Sequence, residues 1–316
     1  MSTVQANNHE AASEIEVRPL SVHVGAEIHG VDLTQELTQA EVDDIRQALL
    51  RWKVVFFRDQ ELDHQQHTRF SRYFGELTPA HVVFGGVDDA YPAIYSVGKF
   101  RTANTTVGEP LLRPWSGWHT DITAAINPPF GSILRGVVVP SFGGDTQWIN
   151  MAAVYESLSP TLRSTLEGLR CLHRYDAPDG TQKSSDYHSK IRGNELIAEH
   201  PMVTVHAETG ERVLFVNPGF VESVVGMKPN ESRAFLEMLY EQSIRPEYSV
   251  RFKWEAGSIA FWDNRAAMHL APSDIYDVDF DRQFYRVTLM GERLNGVDGS
   301  TSTLISGSPI TAVQAS

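Results

Sequence analysis

Apolar residues recur at two different spacings along this chain, and the spacings separate helical stretches from extended ones. Val42, Ile45 and Leu49 lie three and four apart behind Thr38-Gln39-Ala40-Glu41, which has the Thr and Glu of a capping box. A helix is expected there. Asp63 is placed to cap a second helix carrying Phe70, Tyr73 and Phe74. Pro160 and Pro229, each at a first turn, open helical segments of about 160–169 and 229–243. Val54-Val55-Phe56-Phe57 is short and wholly apolar, as a buried strand is. Further β-like runs cover 132–139, 202–206, 212–216, 249–254, 258–262 and 284–290. Many short strands separated by turn signals predict a mainly β protein with flanking helices, a sandwich or jelly-roll barrel. The stretch 98–117 is rich in Gly, Thr and Pro without a period and is expected to be an irregular loop. Residues 1–15 and 297–316 are polar and rich in small residues, so they are expected as a loose N-terminal tail and a polar C-terminal tail. With no repeat or linker between them, residues 16–296 are expected to form a single domain.

Composition narrows the range of partners. Of 316 residues 41% are hydrophobic, ample for a buried core. The formal charge of -13 argues against nucleic acid or an anionic membrane as the partner. An anionic substrate would therefore need local attraction from a few buried Arg or His residues. The single cysteine, Cys171, excludes an intramolecular disulfide and suits a reducing cytoplasm; it reads as a small buried residue. No apolar run approaches a membrane span, and the first residues lack a signal-peptide pattern. A soluble cytoplasmic protein is expected, and a homo-oligomer, as is common among soluble enzymes.

Candidate chemistry begins at His119-Thr120-Asp121. On a strand, residues two apart point to the same face, so one imidazole and one carboxylate can grip one ion. His269 from a distant strand would complete a face of an octahedron. Two His and one carboxylate with open positions form the ligand set of mononuclear non-heme Fe(II) oxygenases. Alone, the tripeptide reads equally as a turn Asp beside a partly exposed His. Its company changes the balance. Gly143-Gly144-Asp145-Thr146 is a glycine turn presenting a hydroxyl, and Phe261-Trp262-Asp263-Asn264-Arg265 leads toward His269. Arg282 and Arg286 share parity on the 284–290 strand and its approach, so both can face one interior. Inward guanidiniums are costly unless each meets an anion, and each forms a fork on carboxylate, sulfate or sulfonate. Surface salt bridges to Asp279 or Asp281 are the alternative. His64 and His67 sit three apart on a polar helix and read as a solvated face, while His173, His188, His200 and His206 have no ligand partner at metal spacing.

The ordered set GAEIHGVDL, KVVFFRDQEL, WHTDIT, PPFGSILR, PSFGGDTQW, HPMVTVHAETGERVLFVNPGF, GSIAFWDNRAAMHLAP and FYRVTLMGE resembles the taurine dioxygenase and alkylsulfatase branch of the Fe(II)/2-oxoglutarate-dependent dioxygenases. The likeness spans about residues 16–296, and Leu304-Ile305-Ser306-Gly307-Ser308-Pro309 extends it toward the members that cleave alkyl sulfates. It implies a double-stranded β-helix, a cupin-like jelly roll, with Fe(II), 2-oxoglutarate and O2 as cofactor and co-substrates. His119, Asp121 and His269 would hold the iron. Thr146 and Arg282 would bind the distal carboxylate of 2-oxoglutarate. His81 and Arg286 would hold the sulfate or sulfonate of a small anionic organic substrate, and Phe84, Ile122 and Phe220 would wall its pocket. Trp262 matches a residue packed beside the site.

This sequence departs from the pattern at Ala124 and Ala125, where the taurine enzyme has bulkier residues, and at Tyr285, where several relatives carry His. The stretch 100–116 is longer than in close relatives and adds Arg101, Arg113 and Trp115. These changes bear on the substrate. The leading expectation is an alkyl sulfate or sulfonate, hydroxylated to release sulfate or sulfite and an aldehyde. The alternatives are a carboxylic acid (an aryloxyalkanoate or a natural-product intermediate) with the same cofactors, a metal or oxoacid sensor without turnover, and a zinc hydrolase, which would leave the Arg pair without an oxoacid.

Overall fold

In chain order the computed structural model, which describes residues 15–81, 89–98, 113–175, 195–271, 274, 277 and 279–314, begins with β1 (Glu16–Pro19) and β2 (Ala26–His29). Then come α1 (Gln39–Trp52), β3 (Val54–Phe57), α2 (His64–Arg72), β4 (Tyr95–Gly98), β5 (Gly131–Val138) and β6 (Thr146–Asn150). Helices α3 (Met151–Ser157) and α4 (Pro160–Leu166) precede β7 (Arg170–Arg174), β8 (Ile197–Pro201), β9 (Val203–Val205), β10 (Arg212–Leu214) and β11 (Val221–Val224). The chain finishes with α5 (Pro229–Ser243), β12 (Ser249–Phe252), β13 (Ile259–Asp263), β14 (Ala267–Leu270), β15 (Gln283–Leu289) and β16 (Thr303–Ser306).

Seven strands form the main sheet, in the order β1-β2-β3-β13-β5-β15-β4. Smaller sheets, β12-β6-β14 and β11-β7-β8-β16, complete the barrel, and β9 pairs with β10. The steps β5 to β6, β12 to β13 and β13 to β14 each carry the chain from one sheet to another. That is the connectivity of a double-stranded β-helix, or jelly roll.

The apolar run of β3 follows from its position at the centre of this arrangement. Val54 and Phe56 face inward with Leu134, Ala260, Trp262 and Phe284, meeting Trp148, Val250 and Phe252 from the three-stranded sheet. Phe56 stacks on Phe252 with ring centroids 4.0 Å apart. Val55 and Phe57 face the other way, with Ile133, Ile259 and Phe261, onto Ile45 and Leu49 of α1 and Phe70 of α2. Alternate residues of a strand point to opposite faces, so a sheet covered on both sides needs apolar residues at both parities. A third cluster packs Val154 and Tyr155 of α3 and Leu236, Leu239 and Tyr240 of α5 against Cys171, Val221 and Val224.

The helix signals are realised at the expected residues. Thr38 and Glu41 form the capping box of α1, and Asp63 and Gln66 form that of α2. Helix α3 was not expected. Asn150 ends β6 and caps α3 at once, its Oδ1 accepting from the backbone N–H groups of Ala152 and Ala153, so no turn residues mark the change.

Two expectations are corrected. Residues 297–316 are not a loose tail as far as residue 314: β16 pairs antiparallel with β8, and Ile310 is buried. Leu304 and Ile305 belong to an edge strand whose half-exposed pattern is too polar to stand out. His67 is not on a solvated face. It is fully buried with Phe70 and Ser71, its Nε2 3.3 Å from the Ile133 carbonyl oxygen, because this face of α2 packs on the main sheet. Among the described residues no helix is long and apolar enough to cross a membrane.

Candidate metal centre

The centre is assembled where two segments meet in a single isolated backbone bridge. His119 N–H donates to the His269 carbonyl at 2.9 Å, and His269 N–H returns to the His119 carbonyl at 2.7 Å. This isolated antiparallel bridge sets the imidazoles side by side, with ring centroids 4.1 Å apart. The strand expected through His119–Asp121 is therefore one bridge followed by a turn. Thr120 Oγ1 donates to the Ala267 carbonyl, and at Ile122 the backbone enters the left-handed region with φ 49°. A β-branched residue there costs about 1–3 kcal/mol and persists only where its surroundings impose it. Ile122 is held by burial among Ala124, Ala125, Tyr175, Leu196 and Ile310. Asp121 and His119 converge despite the lost strand. Ligand atoms of His119, Asp121 and His269 all lie within 4.8 Å of one another.

Their protonation suits a divalent cation. The His119 Nδ1–H donates to the Gly117 carbonyl at 2.9 Å, which orients the ring and makes Nε2 its candidate ligand atom. Burial pushes the Asp121 carboxyl up, but Arg286, His269 and His119 and the Ser132 hydroxyl outweigh it and hold the group below the usual carboxylate range. His269 is kept neutral, first by burial and then by His119 beside it, and its buried Nδ1 has no hydrogen-bond partner. Two imidazoles, that of His269 neutral, and an ionised carboxylate converging on one point, with an orphaned ring nitrogen among them, fit an Fe(II) ion.

Residues that the sequence reading passed over orient the carboxylate. Ser132 Oγ donates to Asp121 Oδ2 at 2.6 Å and accepts from Asn264 Nδ2 at 2.8 Å. Asn264 Oδ1 in turn accepts from Trp262 Nε1 at 2.8 Å. Trp262 packs 4.8 Å from the His269 ring, so one relay reaches both ligands. The available signal was Ser132 itself, a hydroxyl within the apolar run of β5.

Thr146 opens β6 after the Gly143-Gly144 turn, where both glycines have positive φ. Its Oγ1 accepts from Trp254 Nε1 at 2.9 Å, so the hydroxyl proton is left to be given elsewhere. Trp254 packs on Phe284, and the buried Arg282 guanidinium lies 3.9 Å from the centre of that ring. Thr146 and Arg282 are thus joined through one aromatic layer.

Arg286 Nη1 donates to Asp121 Oδ1 at 2.5 Å, and its buried Nε has no partner. The same guanidinium lies 5.2 Å from the centre of the Tyr95 ring, and His81 also packs on that ring with centroids 4.7 Å apart. His81 Nε2 and the Tyr175 hydroxyl are 3.0 Å apart. Phe220 packs against both Tyr175 and His119. Ile122 directly follows Asp121, and Phe84 lies outside the described residues. His188 lies outside the described residues, and the other histidines to which the sequence assigned no partner are engaged elsewhere. His206 is paired with Asp263, and His173 and His200 sit in a buried network around Thr123.

A jelly roll presenting two imidazoles and one carboxylate to a divalent ion, with an arginine against the carboxylate, is the architecture of a mononuclear metal oxygenase. Residues 16–288 match the family described as Taurine catabolism dioxygenase TauD, TfdA family, and the chain belongs to it. Among curated proteins it is 38% identical over 299 residues to an alpha-ketoglutarate-dependent sulfate ester dioxygenase of Pseudomonas putida, covering 92% of this chain and 94% of that protein. It is 32% identical to an alkylsulfatase of Acinetobacter baylyi, covering 90% of this chain and 88% of that one. A crystal structure of a taurine dioxygenase from Burkholderia xenovorans superposes with a TM-score of 0.81 and 55% identity, covering 93% of this chain and 97% of that one.

Proposed function

We propose that this protein is an Fe(II)- and 2-oxoglutarate-dependent dioxygenase that hydroxylates a small organic sulfate ester or sulfonate. The observation that carries the reading is the convergence of His119, Asp121 and His269 beside Arg286, in a chain of the TauD/TfdA family. The relatives named for sulfate esters and alkyl sulfates support the substrate class. Residues 16–296 would act as one catalytic domain.

His119, Asp121 and His269 would hold the iron, which with 2-oxoglutarate and O2 supplies the oxidising power to hydroxylate a C–H bond. The protein's own part is placement. Ser132 and Asn264 fix the outer oxygen of Asp121 and leave the carboxylate one orientation. Thr146 has its acceptor side filled by Trp254 and so acts as a donor, and with the buried Arg282 it forms a receptor for the distal carboxylate of 2-oxoglutarate. Arg286, with an unsatisfied Nε–H, and His81 would anchor the substrate anion so that its neighbouring carbon faces the metal. Effective-molarity arguments make an error of about 1 Å there cost on the order of 100-fold in rate. Hydroxylation of the carbon bearing the sulfur group gives an unstable adduct that collapses to an aldehyde and sulfate or sulfite, with succinate and CO2 as the other products. The single cysteine, buried as Cys171, supports a cytoplasmic setting.

A guanidinium fork accepts carboxylate as readily as sulfate, which keeps a carboxylic acid as the second reading. Incubation with Fe(II), 2-oxoglutarate and matched alkyl sulfates, sulfonates and carboxylic acids separates the two by succinate yield and released sulfate or sulfite. Turnover of carboxylic acids alone would reject the first reading.

A further inference from the structure

A cavity of about 550 Å³, a size common for small-molecule sites, is lined in part by His81. Its wall includes Pro79, Leu196, Pro309 and Ile310, with Glu195 also on the lining. Residues 306–311 all contribute, and they lie beyond residue 288, where the family match ends.

This segment is fastened over the cavity at several points. Strand β16 pairs with β8 just before it. Gly307, at φ 89°, turns against the start of β8, where an added Cβ would stand 2.8 Å from the Glu195 carbonyl oxygen. Asn127 grips the backbone of Ile310 both ways: Oδ1 accepts from its N–H at 2.9 Å, and Nδ2 donates to its carbonyl at 3.0 Å. Farther on, Val313 N–H reaches the Leu77 carbonyl at 2.9 Å. The Ile310 side chain joins Leu196 in an apolar cluster that also holds Ile122, the residue after Asp121, with Phe220 packed against it. One apolar cluster therefore has members both beside Asp121 and on the cavity wall, and His81, which pairs with Tyr175 of that cluster, lines the cavity itself.

We propose that residues 306–311, together with Leu196 and Pro79, form the wall that selects the substrate's tail, and that they take an uncharged, largely aliphatic chain. The inference rests on the 2-oxoglutarate-coupled turnover proposed above; the wall is independent only of whether the anionic head at Arg286 and His81 is a sulfate, a sulfonate or a carboxylate. Glu195 is about half exposed at the rim, 3.9 Å from Arg174, and it disfavours a tail that ends in a second negative charge. The preferred substrate is thus a monoanion with a neutral tail.

The test is kcat/KM for succinate formation with n-alkyl sulfates, n-alkanesulfonates and n-alkanoates of two to ten carbons, and with an alkyl sulfate carrying a terminal carboxylate. Each methylene buried against the wall is worth up to about fourfold, so kcat/KM should climb with chain length in the parent. In Ile310→Ala the ratio of long-chain to short-chain kcat/KM should fall roughly tenfold, since three carbons leave the wall. Leu196→Ala should lower the same ratio, and Glu195→Gln should improve the carboxylate-ended sulfate relative to the plain one. A chain-length ratio identical in the parent and both alanine variants, each confirmed folded by circular dichroism, would overturn the wall. If only alkanoates turn over, the head-group reading fails, and the chain-length ratio among alkanoates still decides the wall. If none of the three series turns over, both fall.

Discussion

Gly219 is the most pointed lever on the proposed metal centre, because it lies directly behind His119, a proposed ligand, without being one. A Cβ added there would stand 2.7 Å from His119 Cβ and 3.4 Å from the Trp118 carbonyl oxygen, and its backbone is not left-handed. The perturbation in Gly219→Ala is therefore a steric push on His119 alone. Carbon atoms in contact prefer about 3.5–4.0 Å, so His119 must retreat by about 1 Å. Its backbone is tied to His269 by the two bridge hydrogen bonds, which forces the displacement into the imidazole. Metal–ligand distances tolerate about 0.2 Å. Displacing a ligand through its support typically costs about 10–100-fold in metal affinity, about 1.4–2.7 kcal/mol. Anaerobic titration with Fe(II), or Mn(II) followed by its paramagnetic resonance signal, measures the loss, and a thermal melt verifies the fold. Gly168→Ala is the control, since nothing lies within 4 Å of a Cβ there and the backbone accepts it. Parent-like affinity in a folded Gly219→Ala protein would refute the placement of His119.

Trp254→Phe removes the donor to Thr146 Oγ1, so the 2-oxoglutarate dissociation constant should rise about fivefold to tenfold. An unchanged constant in anaerobic binding would show that Thr146 needs no such orientation. Arg282→Ala should raise the 2-oxoglutarate requirement on the order of 30-fold or more, and much more than that for the organic substrate; equal effects on both would count against separate roles for Arg282 and Arg286. Burial lowers His67 to about 3 and His200 to about 4. From their ordinary value of 6.5 downward the unfolded chain binds protons that these buried rings refuse. Their stabilisation is full above about pH 6.5 and declines as pH falls toward 4, by up to about 1.4 kcal/mol per pH unit for each histidine. Denaturant unfolding of His67→Gln between pH 7 and 4 should show a shallower slope than the parent, and an identical slope would exclude this source.

Legibility in the sequence followed how local each signal was. The caps of α1 and α2 and the proline starts of α4 and α5 depend on residues within one turn, and they stand where they were read. The bridge between residues 119 and 269 could be inferred only through the resemblance, because no pattern marks two segments that meet in a single isolated backbone bridge. The left-handed Ile122 has no signal at all, since a β-branched residue there contradicts its own preference. Ser132, Asn264 and Trp254 act through partners between two and 132 positions away, and single residue types carry no trace of such distances. His67 was misread because a polar helix hides a buried stripe when that stripe is histidine, phenylalanine and serine. The C-terminal segment was misjudged for the same reason as any edge strand: half its side chains face water, and its small polar residues look like tail.

The most direct test adds Fe(II) and then 2-oxoglutarate to the protein without oxygen and follows visible absorption. The expected result is a charge-transfer band that saturates at one equivalent of each, is absent in Asp121→Ala, and is displaced to higher 2-oxoglutarate concentration in Arg282→Ala. No band in the parent, or an undiminished band in Asp121→Ala, would contradict the assignment of the iron to His119, Asp121 and His269.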